Sequence, residues 1–150
     1  MYTDALLSLS SAQAVTASAV STNTLDLGTA RDIAAGEELY VVVTVDETVT
    51  ADGAATVTFQ IISSAAANLG SPTIISQTGP IPKADLTAGR MPINIHLDSP
   101  QLLAQPIGQR YLGLQYTVAT GPLTAGKFTA QIVDTEVTSG KNYASGFAVI

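Results

Sequence analysis

The sequence has 150 residues, 46% of them apolar and 12% charged, with 6 Lys+Arg against 12 Asp+Glu for a formal charge of -6. One domain of this length buries roughly 70% of the surface its unfolded chain exposes, so a core can form without staples. With Cys 0, disulfides and thiolate metal sites are excluded; the scattered basic residues argue against a nucleic-acid partner, and no stretch approaches the ~18 uninterrupted apolar residues of a membrane span.

In chain order, Asp4 to Leu9 reads as one or two helical turns behind a Thr3 N-cap. Val15 to Val20 and Thr24 to Leu27 are weak strand candidates between Ser and Gly punctuation. Leu39, Val41, Val43 and Val45 then alternate with Tyr40, Val42 and Thr44, and Val57, Phe59 and Ile61 alternate with Thr56, Thr58 and Gln60. A period of two marks half-buried strands. Thr73 to Gln77 is a third weak candidate, and Ile81 to Leu86 a short turn. Ile93, Ile95 and Leu97 share a face opposite Asn94, His96 and Asp98, and Ser99 to Leu103 reads as another short turn. Leu112, Leu114, Tyr116 and Val118 alternate with Tyr111, Gly113, Gln115 and Thr117, and Phe128, Ala130 and Ile132 close the series. The prolines and most glycines fall between these runs, as connections rather than as a linker between domains.

About eight short strands point to an antiparallel sandwich or barrel. The phase of the alternation places Val43, Val45, Phe59, Ile61, Ile95, Leu112, Leu114, Phe128 and Ile132 in the shared core. A three-residue loop of Ala51, Asp52 and Gly53, with Gly53 left-handed, would set Val45 opposite Phe59 and Val43 opposite Ile61 in a hairpin. The alternative is an arch, with the two strands in opposite sheets and no shared ladder.

Candidate chemistry is sparse. His96 is the only imidazole, and a nucleophile, base and acid drawn from His96, Asp98 and Ser99 on one short strand stretch cannot converge as a triad. Glu37 with Glu38, and Asp46 with Glu47 and Asp52, miss the spacing of a calcium loop. Asp26, Asp32 and Asp134 read as turn residues. Thr120 to Gly126 has glycines but no phosphate-binding pattern, so it reads as a connection. The expectation is therefore no catalytic residue, no metal and no cofactor.

The surface is the stronger signal. Charged residues are near half the ~25% of an ordinary soluble chain, which leaves Ser, Thr, Ala and Gln to cover most of the outside. Such a surface suits contact with other protein. Tyr40 and Tyr111 fall on outward faces, while Leu6 and Leu7 near one end and Tyr143, Phe147 and Ile150 near the other carry apolar surface that something must cover. These seven are the candidate partner-binding residues: Tyr40 and Tyr111 on one sandwich domain at about 13–133, Leu6 and Leu7 on an N-terminal arm over residues 1–12, and Tyr143, Phe147 and Ile150 on a C-terminal arm over 134–150. The opening MYTDALLSLSSAQAVTA lacks the basic n-region of a signal peptide and includes Asp4, so a soluble chain made in the cytoplasm is expected.

The stretches DIAAGEELYVVVTVDE (Asp32 to Glu47), GAATVTFQIISS (Gly53 to Ser64) and RYLGLQYTVATGPLTAGKFTAQIV (Arg110 to Val133), with the opening MYTDALLSLSSAQAVTASAVSTNTLDLG, occur in one order and spacing. Together they resemble the capsid cement proteins of short-tailed bacteriophages, the family typified by a Bordetella podovirus. The resemblance implies a jelly-roll β-sandwich on the outside of an icosahedral head, bridging copies of the major capsid protein and pairing with itself as a homodimer at two-fold positions. An acidic protein suits the outer surface, away from packaged DNA. The alternative function is a receptor- or glycan-binding module of a tail or fimbria, favoured by Tyr40 and Tyr111 lining one groove; a jelly-roll enzyme would need His96 in a pocket with two carboxylates.

Overall fold

The computed structural model describes residues 4–30, 38–97 and 109–137. Ten strands lie among them: β1 (Ser8–Ala14), β2 (Ala19–Val20), β3 (Leu25–Asp26), β4 (Leu39–Thr50), β5 (Thr56–Ser64), β6 (Thr73–Gln77), β7 (Ile81–Pro82), β8 (Ile93–Leu97), β9 (Tyr111–Ala119) and β10 (Ala125–Val133). Sheet A has the order β1-β10-β4-β8. In sheet B, β9 and β5 pair in the centre, with β2 and β3 beside β9 and β6 and β7 beside β5. Counting β2 with β3 and β6 with β7 as one run each leaves eight, arranged 1-8-3-6 and 2-7-4-5. That interleaving of two Greek keys is a jelly-roll sandwich, with every pairing antiparallel.

The alternation decides which side chains are shared between the sheets. All nine positions expected in the core are buried in one cluster. At its centre Phe59 and Tyr116 of sheet B meet Phe128 of sheet A. Phe59 makes edge contacts to Phe128 at 5.2 Å and to Tyr116 at 5.8 Å, and Tyr116 stacks on Phe128 at 5.5 Å. Rings in these geometries add to the burial energy of the apolar surface itself. The Tyr116 hydroxyl is satisfied by donating to Ser10 Oγ, which donates to Gln13 Oε1; Gln13 Nε2 in turn donates to the Val20 carbonyl. Burial pushes the Tyr116 phenol up to about 12.

The expected hairpin is an arch. β4 pairs with β10 and β8, so Val43 lies opposite Ala130 and Ile93, and Val45 opposite Phe128; β5 pairs with β9, β6 and β7 in the other sheet. Gly53 is not left-handed. Alternation fixes which face a residue occupies but not which strand lies beside it, and both strands aim their apolar faces at the same core from opposite sides. Two register shifts between β4 and β10 occur around Glu47, and they keep the consecutive acids Asp46 and Glu47 off the core.

The ends of the sandwich also depart from the expectation. The N-terminal turn is a 3-10 turn over Ala5–Leu7 whose cap is Asp4 instead of Thr3: its carboxylate accepts from the Leu6 amide at 2.9 Å. From Ser8 onward the stretch expected as an arm is an edge strand of the chain's own sheet, because Leu9 reaches the core and β1 pairs with β10. A second 3-10 turn covers Lys83–Asp85. The turn expected at Ser99 to Leu103 lies outside the described residues.

Candidate partner-binding surface

The outer faces of the two sheets differ in chemistry. No residue of β5, β6 or β9 is charged. On that face Thr117 donates to Gln60 Oε1 at 2.7 Å and Gln60 Nε2 donates to Gln77 Oε1 at 2.6 Å, a side-chain chain across three strands. Nearby, the loop after β5 folds back so that Leu69 and Ile62 are both buried away from the main core. Ser64 Oγ fastens this loop by donating to the Gly70 carbonyl at 2.6 Å. Gly113 lies beneath it, where a methyl group would overlap a Leu69 δ-carbon, forcing that side chain to shift, and would crowd Ser21 Oγ at 3.1 Å.

Sheet A carries charge on its central strands. Lys127 pairs with Glu47 at 2.9 Å, and Asp46 accepts from Thr129 Oγ1 at 2.6 Å. The chain leaving β10 then turns back over this face. The Asn94 amide clasps the backbone of Val137, donating to its carbonyl at 2.9 Å and accepting from its N–H at 3.0 Å. This imitates one rung of a strand ladder. Val42 and Val133, both outward by phase, are buried on this side. Beside the clasp, Tyr40 and His96 lie directly opposite each other and their rings stack at 4.9 Å. The Tyr40 phenol is raised by burial and then by the charges of Glu38 and Glu136.

The candidate residues occupy separate places. Leu6 is 81% exposed on the N-terminal turn, whereas Leu7 is half-buried against the core. Tyr40 is on the outer face of sheet A and Tyr111 on that of sheet B, with the Arg110 guanidinium 5.1 Å from the centre of its ring. They do not line one groove, which removes the feature that favoured glycan binding. Tyr143, Phe147 and Ile150 lie outside the described residues, as do Glu37, Asp32, Asp98 and Ser99. His96 is exposed against Tyr40. A shallow depression of about 590 Å³ between the first turn and β10 is lined by Asp4, Ser8, Ser11, Asn23, Thr129 and Gln131. Another, of about 510 Å³, lies around Asp85, Arg90 and Met91. Among the described residues no group of three or more His, Cys, Asp or Glu could hold a metal ion, and no helix is long and apolar enough to cross a membrane.

Sequence reasoning missed the Asn94 clasp and the Gln-Thr chain, whose partners are 43 and 57 residues away and leave no local signal. Asp26 is the turn residue expected, its carboxylate accepting from the Gly28 amide at 2.8 Å. It is also one half of a two-pronged ion pair with Arg110, at 2.6 and 2.7 Å, which holds its carboxyl down at about 2.

No curated protein matches the chain. The model of one protein family, Bbp16, matches residues 9–132, from the first core residue of β1 to the penultimate residue of β10. The match spans the whole sandwich, and the chain belongs to the Bbp16 family.

Proposed function

We propose that the protein is a structural component of a phage virion that cements or decorates the outer surface of an icosahedral head by bridging copies of the major capsid protein, without catalysis or a cofactor. The family match carries the reading, since the name Bbp16 points to a Bordetella phage protein and the matched region is the jelly roll itself. The surface supports it. A sheet face whose strands β5, β6 and β9 carry no charge, together with broad shallow depressions, suits side-by-side contact with other protein, and many modest contacts repeated over a shell act together. Pairing as a homodimer at two-fold positions, and attachment through Leu6, Leu7 and the apolar C-terminal residues Tyr143, Phe147 and Ile150, belong to the same proposal.

The test is co-sedimentation of the purified protein with phage heads that lack their own copy, followed by heating of the decorated heads. Saturable binding that raises the temperature of head rupture is expected. Removing residues 143–150 should weaken attachment while the sandwich still melts cooperatively. Failure of the full chain to bind heads sinks the reading, and unchanged binding by the truncated chain sinks the role of the C-terminal arm.

A further inference from the structure

The corner of sheet A where Tyr40 stacks on His96 has the makings of a cation receptor. The two rings face each other across the β4–β8 pairing, one half-buried and one exposed. Glu38 enters from the residue before β4, and Glu136 is held by the Asn94 clasp on its neighbour Val137. Both carboxylates are exposed, Glu38 two residues before Tyr40 and Glu136 next to Val137, which is bound to Asn94 two residues before His96.

No cation among the described residues answers them. Arg110 is committed to Asp26 and Lys127 to Glu47, while Arg90 donates to the carbonyls of Asp85 and Met91 and Lys83 to that of Ala51. An aromatic pair at the same corner of the sheet as two carboxylates that no described cation answers suits a guanidinium: the planar cation stacks on a ring while its N–H groups fork onto a carboxylate, which a lysine ammonium cannot do in the same way. A chain of net charge -6 attracts such a group and repels phosphate. We propose that this site receives an arginine side chain from a partner protein. That the partner is the capsid protein rests on the function proposed above; the site does not.

The experiment follows the ring resonances of His96 and Tyr40 by NMR as a short arginine-repeat peptide is added to the full chain, with lysine-repeat and glutamine-repeat peptides beside it. The arginine peptide should shift both rings saturably, the lysine peptide should bind more weakly, and the glutamine peptide should do nothing. Both residues being exposed, the Glu38→Gln, Glu136→Gln double variant should fold as the parent and bind the arginine peptide roughly tenfold more weakly. Equal binding by the double variant, or equal binding of the lysine and arginine peptides, overturns the proposal. So does a shift of the His96 ring in Arg31→Gln or Lys141→Gln without peptide, which would give the site to a cation of the chain itself. Head binding by the double variant is measured separately: if the parent does not bind heads, the cement reading falls while the peptide titration still decides the site.

Discussion

The outer faces of the two sheets solve one problem in opposite ways. Sheet B covers its central strands with uncharged side chains that bond to each other, Thr117 to Gln60 to Gln77, and folds one loop down so that Leu69 lies over Gly113. Sheet A leaves charges in place and covers Val42 and Val133 on the side where the chain returns, held by Asn94. A face whose polar groups are already paired loses little hydration when another protein lies on it, whereas a face with unpaired carboxylates selects by charge. One sandwich thus carries two outer faces of different chemistry back to back.

The contrast is sharpened first by the group that ties the sheets together. Tyr116 belongs to sheet B but bonds to Ser10 on the edge strand of sheet A, and its proton is held more tightly in the folded chain than in the unfolded one. Its contribution is therefore complete below pH 10 and disappears as the pH climbs towards 12, a loss of about 2–3 kcal/mol. Denaturant midpoints of the parent and Tyr116→Phe across that range should converge. Parallel curves would show that the tyrosine is not the group responsible.

A smaller effect confined to sheet B is expected from Gly113→Ala, which drives a methyl into Leu69. Overpacking of this kind costs about 1–3 kcal/mol. Adding Leu69→Ala should recover part of the loss, a coupling that a double-mutant cycle measures directly. The stacked Tyr40–His96 pair on the other sheet should keep its ring resonances throughout. Movement there would mean that the two faces are not independent.

The smallest effect is expected at the rim, where Asp26 and Arg110 join β3 to the start of β9. The Asp26 carboxyl is depressed in the folded state, so its stabilisation is present above the ordinary carboxylate value of 3.8 and is lost as the pH falls through about 2. Both partners are exposed, so screening by salt should reduce the effect further. Comparing the acid transition of Asp26→Asn with that of the parent, at low and high salt, checks both statements.

How much of this was legible in the chain follows from what each signal encodes. Val43, Phe59, Leu114 and Phe128 are readable as core because a strand repeats every two residues and their phase is the more continuously apolar one. The neighbours of β4 were not readable from the loop after it, since Ala51 to Gly53 closes a hairpin or an arch equally well and the choice is made by β10 and β8, far along the chain. The partner surface was half legible. Tyr40 stands out as an aromatic on a polar face, but its bracketing by Glu136 depends on the amide of Asn94 meeting the backbone 43 residues later, and neither Asn94 nor Val137 is unusual in its own surroundings.

The irregularity of β1 has its own consequence at high concentration. An open sheet border is a template on which further copies of a chain can be laid down without limit, and among the described residues β1 is such a border. Yet its pairing with β10 slips twice, Ala12 sits at a φ of 45°, and the Ala12 amide is spent on Thr129 Oγ1 instead of projecting outward. The row of donors and acceptors that a newcomer would need is out of step. Strand-by-strand growth of a fibre along this border is thereby disfavoured, however crowded the copies.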